Sequence, residues 1–370
     1  MGEAPGSATT APPEAAPIPA PTGPLTISVD ACGADGGPEV IAAGAEAAAS
    51  DGIRVRAFGL QPELEELVGI ERVELRRAED AISNDEEPVR AVHQKPRASI
   101  VLAAQDVAKG NSHALVSAGS TGAALAAAVF AMRRLRGVHR PAIAVQLPLP
   151  EHPDRSVLFL DAGANAEVRP QHLVQFAYLG AAFAEAVLEV ERPRVALLSI
   201  GEEGKKGTAT VVAAHKALAG AEGIEFTGNV EGRDLVEGAA DVVVTDGFTG
   251  NVVLKTMEGT AKAVGGAVRG AAKSGFFAAV GGLLMQRSLR RLRRELDPDT
   301  TGGAILLGLR GVTVVAHGSS GSEGIANAIR LAERSAREGV VQRTSELLER
   351  SGASRAAVRA SLEGDRKEAS

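Results

Sequence analysis

The chain has 370 residues, 45% hydrophobic and 23% charged, with a formal net charge of −6: material for one large α/β domain or two smaller ones. The acidic balance, one Tyr and no Trp argue against nucleic-acid binding, and no run of about 18 apolar residues suits a spanning helix. One Cys and no signal-like segment point to a reducing, cytoplasmic setting, and the seven His lack metal-ligand spacing, so neither metal nor cofactor is expected.

Residues 1–24, rich in Ala and Pro without periodicity, read as a disordered tail. Order begins with an alternating strand at Leu25–Asp30, a loop carrying Gly33, Gly36 and Gly37, and a helix from Glu39 to Ser50. The loop's glycines do not match the G-x-G-x-x-G spacing of a dinucleotide site. Strands follow at Val55–Phe58 and around Val73–Leu75. A basic stretch, Pro88–Ser99, then enters a helix that ends near Gly110. Its Lys95, Arg97 and Ser99 are placed to face an anion, although a solvated helix start accounts for them equally well.

The strand Ala114–Ser117 leads through Ala118-Gly119-Ser120-Thr121-Gly122 into a small-residue helix, Ala123–Arg133. Small residues, two hydroxyls and open N–H groups at a helix start have the composition of an anion cradle. Strands recur at Ala142–Gln146, Val157–Asp161, Val195–Ile200 and Glu225–Phe226; the second and third run into the loops Asp161–Asn165 and Gly201–Thr208.

Residues 228–259 hold the densest polar commitment: a loop at Gly228–Asp234, a buried strand at Asp241–Thr245, a glycine-rich loop at Asp246–Asn251, and a helix from near Val252. Residues 261–294 contain no acid, eight Lys or Arg, and the apolar run Phe276–Met285, which suits an interfacial arm on anionic lipid or a helical arm at a dimer interface. A last strand, Thr313–Ala316, enters His317-Gly318-Ser319-Ser320-Gly321, and residues 336–370 read as a helical or disordered extension. Each loop alone is an ordinary βα turn. Five loops carrying Gly with Ser, Thr, Asn, Asp, Lys or His, expected along one edge of a parallel sheet, together read as a site for phosphate or another small anion.

The segments ISVDACGADGGP, SAGSTGAALA, RPAIA, LDAGANAEVRPQHLVQFAYLG, LLSIGEEGKKG, residues 228–259, GGAILLGL and AHGSS resemble the PlsX family of phosphate acyltransferases, in family order and across nearly all of residues 25–335. The resemblance implies a three-layer α/β/α fold with a mostly parallel sheet, similar to phosphotransacetylases and the isocitrate/isopropylmalate dehydrogenases, and a homodimer. It implies transfer of a fatty acyl group from acyl carrier protein to inorganic phosphate, giving acyl phosphate for phospholipid synthesis. The chain departs from the family at several positions. Gly36 stands where the family has His, Ser120 and Ser199 where it has Asn, and Val315 where a Lys precedes AHG; the basic RRKK is His93-Gln94-Lys95-Pro96, and the paired serines after it are Ala98-Ser99.

Acyl transfer to phosphate asks for positioning and for stabilisation of a developing oxyanion, since phosphate dianion is already a nucleophile. Candidate catalytic residues are His317, Lys206 and Asn251. Candidate substrate contacts are Asp30, Ser117, Gly119, Ser120, Thr121, Asp161, Asn165, Asn229, Asp246 and Lys255, with no metal. The partners implied are acyl carrier protein, inorganic phosphate, a second copy of the chain and an anionic membrane surface. Two rival readings are a NAD-linked dehydrogenase, against which the missing fingerprint glycines argue, and an altered paralogue that binds acyl carrier protein or a lipid phosphate without turnover.

Overall fold

A computed structural model of the chain describes residues 23–149, 152, 154–295 and 298–353. The expected N-terminal tail falls almost wholly outside the described residues. The first half of the chain gives β1 (Thr26–Asp30), α1 (Pro38–Ser50), β2 (Arg54–Gly59), α2 (Gln61–Glu65), β3 (Val73–Arg77), α3 (Pro88–Gln94), α4 (Ser99–Ala108), β4 (Ala114–Ser117), α5 (Thr121–Met132), β5 (Ala142–Pro148), β6 (Ser156–Leu160) and α6 (Pro170–Val187). The second half gives β7 (Arg194–Leu198), α7 (Ala209–Leu218), β8 (Glu225–Val230), α8 (Asp234–Glu237), β9 (Val242–Val244), α9 (Gly247–Ala271), α10 (Phe276–Glu295), a 3₁₀ turn at Pro298–Thr300, β10 (Ala304–Leu307), β11 (Val312–Val315), α11 (Ser322–Arg337) and α12 (Val340–Arg350).

The eleven strands among the described residues form one sheet in the order β3-β2-β1-β4-β11-β10-β5-β6-β9-β7-β8. Most neighbours pair in parallel; β10 pairs antiparallel with β11 and β5, and β5 pairs antiparallel with β6. The direction reversal at β5–β6 corrects the expectation of one shared edge. The loops after β1, β4 and β11 leave one edge of the sheet, and those after β6, β7 and β9 leave the other.

Alternation along the strands gives the sheet two apolar faces. Ile27 and Val29 of β1, with Ala114 and Val116 of β4, face a core shared with α1, α6, α11 and α12. Val340, Val341, Leu347, Leu348 and Ala353 belong to that core, so the chain beyond residue 335 is packed as far as Ala353; residues 354–370 lie outside the described residues. The other face carries two clusters, one under α3, α4 and α5 and one under α8 and α9. Val145 and Leu254 touch both clusters. Val145 pairs across β5–β10 with Ala304, and both are only half-buried. The middle of this face is therefore a cleft, flanked by α5 on one side and α9 on the other.

One local expectation is corrected, and two elements are added. The helix expected to end near Gly110 is α4, and the basic stretch before it carries a short helix of its own, α3, which stops short of residue 96 because a proline there disfavours helical φ/ψ at Lys95. Asp246–Asn251 is not a loop: Asp246 caps α9, accepting at Oδ1 from the Thr249 N–H (2.8 Å) and at Oδ2 from the Thr249 hydroxyl (2.7 Å). The segment Ala304–Leu307 forms β10, a strand the sequence reading did not assign.

Candidate functional site

At the first edge three loops meet. Ser117, the last residue of β4, donates its hydroxyl proton to Asp30 Oδ2 (2.9 Å) and accepts from the Gly119 N–H (3.2 Å). Asp30 Oδ1 accepts from the Cys32 N–H (3.2 Å). Gly33 packs on Gly119 so closely that a Cβ on it would stand 2.8 Å from the Gly119 Cα. The loop after β11 joins them: the Ala316 N–H donates to Ser117 O (2.9 Å), and the Asp35 N–H to Gly318 O (2.8 Å). Burial pushes the Asp30 carboxyl up to about 6, against the hydrogen bonds that it accepts from Ser117 and Cys32. Asp30 and Ser117 are both buried and spend their polar atoms on each other, so they shape the junction from beneath. The surface above belongs to Gly119, to Ser120, which caps α5 by accepting from the Ala123 N–H (3.4 Å), and to exposed Thr121.

His317, exposed on the same edge, is held by Ser319: its Nδ1 accepts from the Ser319 N–H (3.2 Å) and lies 2.8 Å from the Ser319 hydroxyl. A backbone N–H can only donate, so Nδ1 is the acceptor and the ring proton sits on Nε2. That nitrogen faces Nζ of Lys255 at 3.5 Å. Lys255 also bonds Glu258 Oε2 (2.8 Å).

Lys255 reaches this edge because α9 starts at the other one and climbs the face of the sheet, about 12 Å from Gly247 to Lys255. Its first turn is seated on the loop after β6. The Gly247 N–H donates to Asn165 O (2.8 Å). A Cβ on Gly247 would meet that oxygen at 2.7 Å, and one on Gly250 would fall 1.9 Å from Asp161 O. The glycines of this motif thus permit backbone contact between helix and loop. Asp161 organises the loop: its oxygens accept from the N–H groups of Ile143, Gly163, Ala164 and Asn165 and from the Asn165 amide (2.8–3.2 Å). Burial raises its pKa. Asp161 and Asn165 are buried and satisfied within the fold, whereas Asn251 is exposed beside Gly163 and one turn below Lys255.

Asn229 and Lys206 lie elsewhere. Asn229 is buried in β8, where its Oδ1 sits 2.9 Å from His215 Nδ1 and its amide donates to Glu203 O (3.0 Å), fixing the 201–208 loop. Lys206 is exposed on that loop. From β4 to β7 is six strand spacings, about 29 Å, and the loop leaves the opposite edge. Within one chain the structure joins Asp30, Ser117, Gly119, Ser120, Thr121, Lys255 and His317, places Asp161, Asn165, Asp246 and Asn251 at the foot of α9, and leaves Lys206 and Asn229 apart.

Two residues were missed by the sequence reading. Ser319 orients His317 and was legible as a Ser two residues beyond the His in a glycine turn. Asp299 accepts from the Ser320 hydroxyl at one oxygen and from the Gly321 N–H (2.9 Å) at the other, tying the return from α10 to the His317 loop. Nothing local in Asp-Pro-Asp-Thr signals that contact.

Fold and loop junction define an α/β/α protein of the phosphotransacetylase architecture with a polar, cation-bearing cleft. A phosphotransacetylase from Streptococcus pyogenes superposes with a TM-score of 0.57 at 18% identity, over 85% of this chain and 95% of that one. A branched-chain phosphotransacylase from Enterococcus faecalis V583 superposes at 0.54, with 17% identity, over 84% and 99%. Residues 25–343 match the family described as fatty acid synthesis protein. The chain is 42% identical over 310 residues to a phosphate acyltransferase of Enterococcus faecalis, covering 83% of this chain and 93% of that one. It is 43% identical over 303 residues to that of Lacticaseibacillus casei, covering 81% and 88%. The chain belongs to the PlsX family of phosphate acyltransferases, and it is an acyltransferase.

Proposed function

We propose that this chain transfers a fatty acyl group from acyl carrier protein to inorganic phosphate, yielding an acyl phosphate for phospholipid synthesis. The observation that carries the reading is the Lys255–His317 pair: an ammonium and an Nε2–H, 3.5 Å apart, with no acceptor between them. Two donors so placed converge on an oxygen atom that bears negative charge. A phosphate oxygen attacks the thioester carbonyl, the new C–O bond forms, the C–S bond breaks, and the thiolate leaves to be protonated. Lys255 and His317 hold the phosphate or the developing oxyanion, and the start of α5 with Ser120 and Thr121 adds hydroxyl and N–H donors. The half-open strip at Val145 and Ala304 offers the acyl chain an apolar seat beside them. No metal is required for this chemistry.

Thiol release from acylated carrier protein, followed with and without phosphate, tests the reading. Phosphate-dependent release that survives EDTA supports it. Carrier binding without release at any phosphate concentration would make the chain a binding paralogue instead.

We also propose that α10 meets an anionic membrane. Phe276, Phe277, Leu283 and Leu284 are 69–89% exposed, on a segment without acid between residues 261 and 294. Among the described residues no helix is long and apolar enough to cross a bilayer, so contact would be peripheral. A second copy of the chain seated on the same residues is the alternative.

A further inference from the structure

The edge of the sheet at the start of β5 carries a second concentration of positive charge, apart from α10. Residues 132–149 contain Arg133, Arg134, Arg136 and Arg140 and not one Asp or Glu, in a chain whose net charge is −6. The segment is fixed rather than loose: Arg134 donates from its guanidinium to His139 O, its backbone bridges to Leu309, and Leu135 and Val138 are buried beneath. Arg169, which precedes α6, joins the group from a different element. The clustering shows in His172, held down to about 4 by burial first and then by His139, Arg140 and Arg169. Arg133, Arg134, Arg140 and Arg169 are exposed. Some other exposed arginines have carboxylate partners, Arg76 with Glu74 and Arg97 with Glu79; none of the described ion pairs includes these four.

The cluster borders the cleft. Arg140 precedes Pro141, whose carbonyl accepts from the Asn165 amide (2.8 Å), and Asn165 O in turn accepts from the first N–H of α9. One exposed aromatic, Phe130 on the last turn of α5, precedes Arg133 and Arg134 by three and four residues and packs at a tilt against His93 with ring centroids 4.5 Å apart. Arginines around a single aromatic suit a folded acidic partner, whereas membrane insertion calls for several apolar side chains together.

We infer that Arg133, Arg134, Arg140 and Arg169 form the docking surface for an acidic carrier protein, which presents its acyl thioester to the adjoining cleft. The inference rests on the donor assigned under Proposed function. Its test is binding of acyl carrier protein at low and high salt, to the wild type, to R133E/R140E/R169E and to R133K/R140K/R169K. The reversal variant should bind at least tenfold more weakly and lose its salt dependence. The lysine variant should stay within about threefold of wild type, since a steering charge tolerates that exchange. Release from a short soluble acyl thioester, which bypasses docking, should be unchanged in both. Equal carrier binding by the reversal variant overturns the surface and leaves the donor standing. A wild type that neither binds nor consumes the carrier overturns both. Lost binding to anionic vesicles with carrier binding intact reassigns the surface to lipid and overturns the inference.

Discussion

Nζ of Lys255 and Nε2 of His317 lie 3.5 Å apart, and neither serves as acceptor for the other, because Ser319 has already claimed Nδ1. The two belong to elements that start from opposite edges of the sheet, and only the climb of α9 across the cleft makes them neighbours. Two donors so placed suit an oxygen that bears negative charge.

This relationship predicts unequal effects at three residues. His317→Ala should lower kcat/KM for phosphate by about 100- to 1000-fold, the loss of one oxyanion donor. Lys255→Ala should cost roughly tenfold, since its ammonium is half in solvent and already shared with Glu258. Lys206→Ala should stay within about threefold. Thiol release at limiting phosphate reads all three. A large Lys206 defect would mean that a second chain completes the site.

Asp30 makes stability depend on pH. Its folded pKa of about 6 stands above the ordinary 3.8, so between those values the folded chain holds a proton that the unfolded chain has lost. Stability from this group therefore falls as pH rises from about 4 to 6, by up to about 3 kcal/mol. Asp30→Asn, which keeps the size and one acceptor, should match wild type near pH 4 and exceed it at pH 7 in urea unfolding. A difference that does not vary with pH sinks the assignment.

His172 acts in the opposite sense. Its folded pKa of about 4 lies below the usual 6.5, so the unfolded chain binds the extra proton between those values, and stability rises with pH across that window. Discounting for solvent screening of a partly enclosed ring leaves roughly 1–2 kcal/mol. His172→Gln should flatten the acid limb of the stability profile relative to wild type. An unaltered limb would show that His172 does not titrate in this range.

The exposed face of α10 gives a fourth expectation. Replacing Phe276, Phe277, Leu283 and Leu284 by Ser should release the protein from anionic vesicles, and wild-type binding should weaken with salt, at about 1 kcal/mol per basic residue. Flotation beside sizing chromatography decides the occupant. Monomers from the variant, with a wild type that ignores vesicles at low salt, would assign the face to a second copy.

What the sequence determined by itself was local or motif-borne. The strands at Thr26–Asp30, Ala114–Ser117 and Val242–Val244 and the helix after Gly37 were legible within a residue or two, because side-chain period and turn residues act over short spans. The family was legible from eight segments in order. Tertiary structure alone decided the rest. Which neighbour a strand pairs with depends on hydrogen bonds between distant segments, so the reversal at β5–β6, and with it the division of the loops between two edges, had no local signature. Asp246–Asn251 looks like a loop by composition; it starts a helix because its glycines let the backbone rest on Asp161 and Asn165, 80 or more residues earlier in the chain. Lys206 and His317 are equally plausible as polar residues after strands. Only the path of α9 sets Lys255 beside one and leaves the other across the sheet, since position in a fold follows from packing that no short stretch encodes.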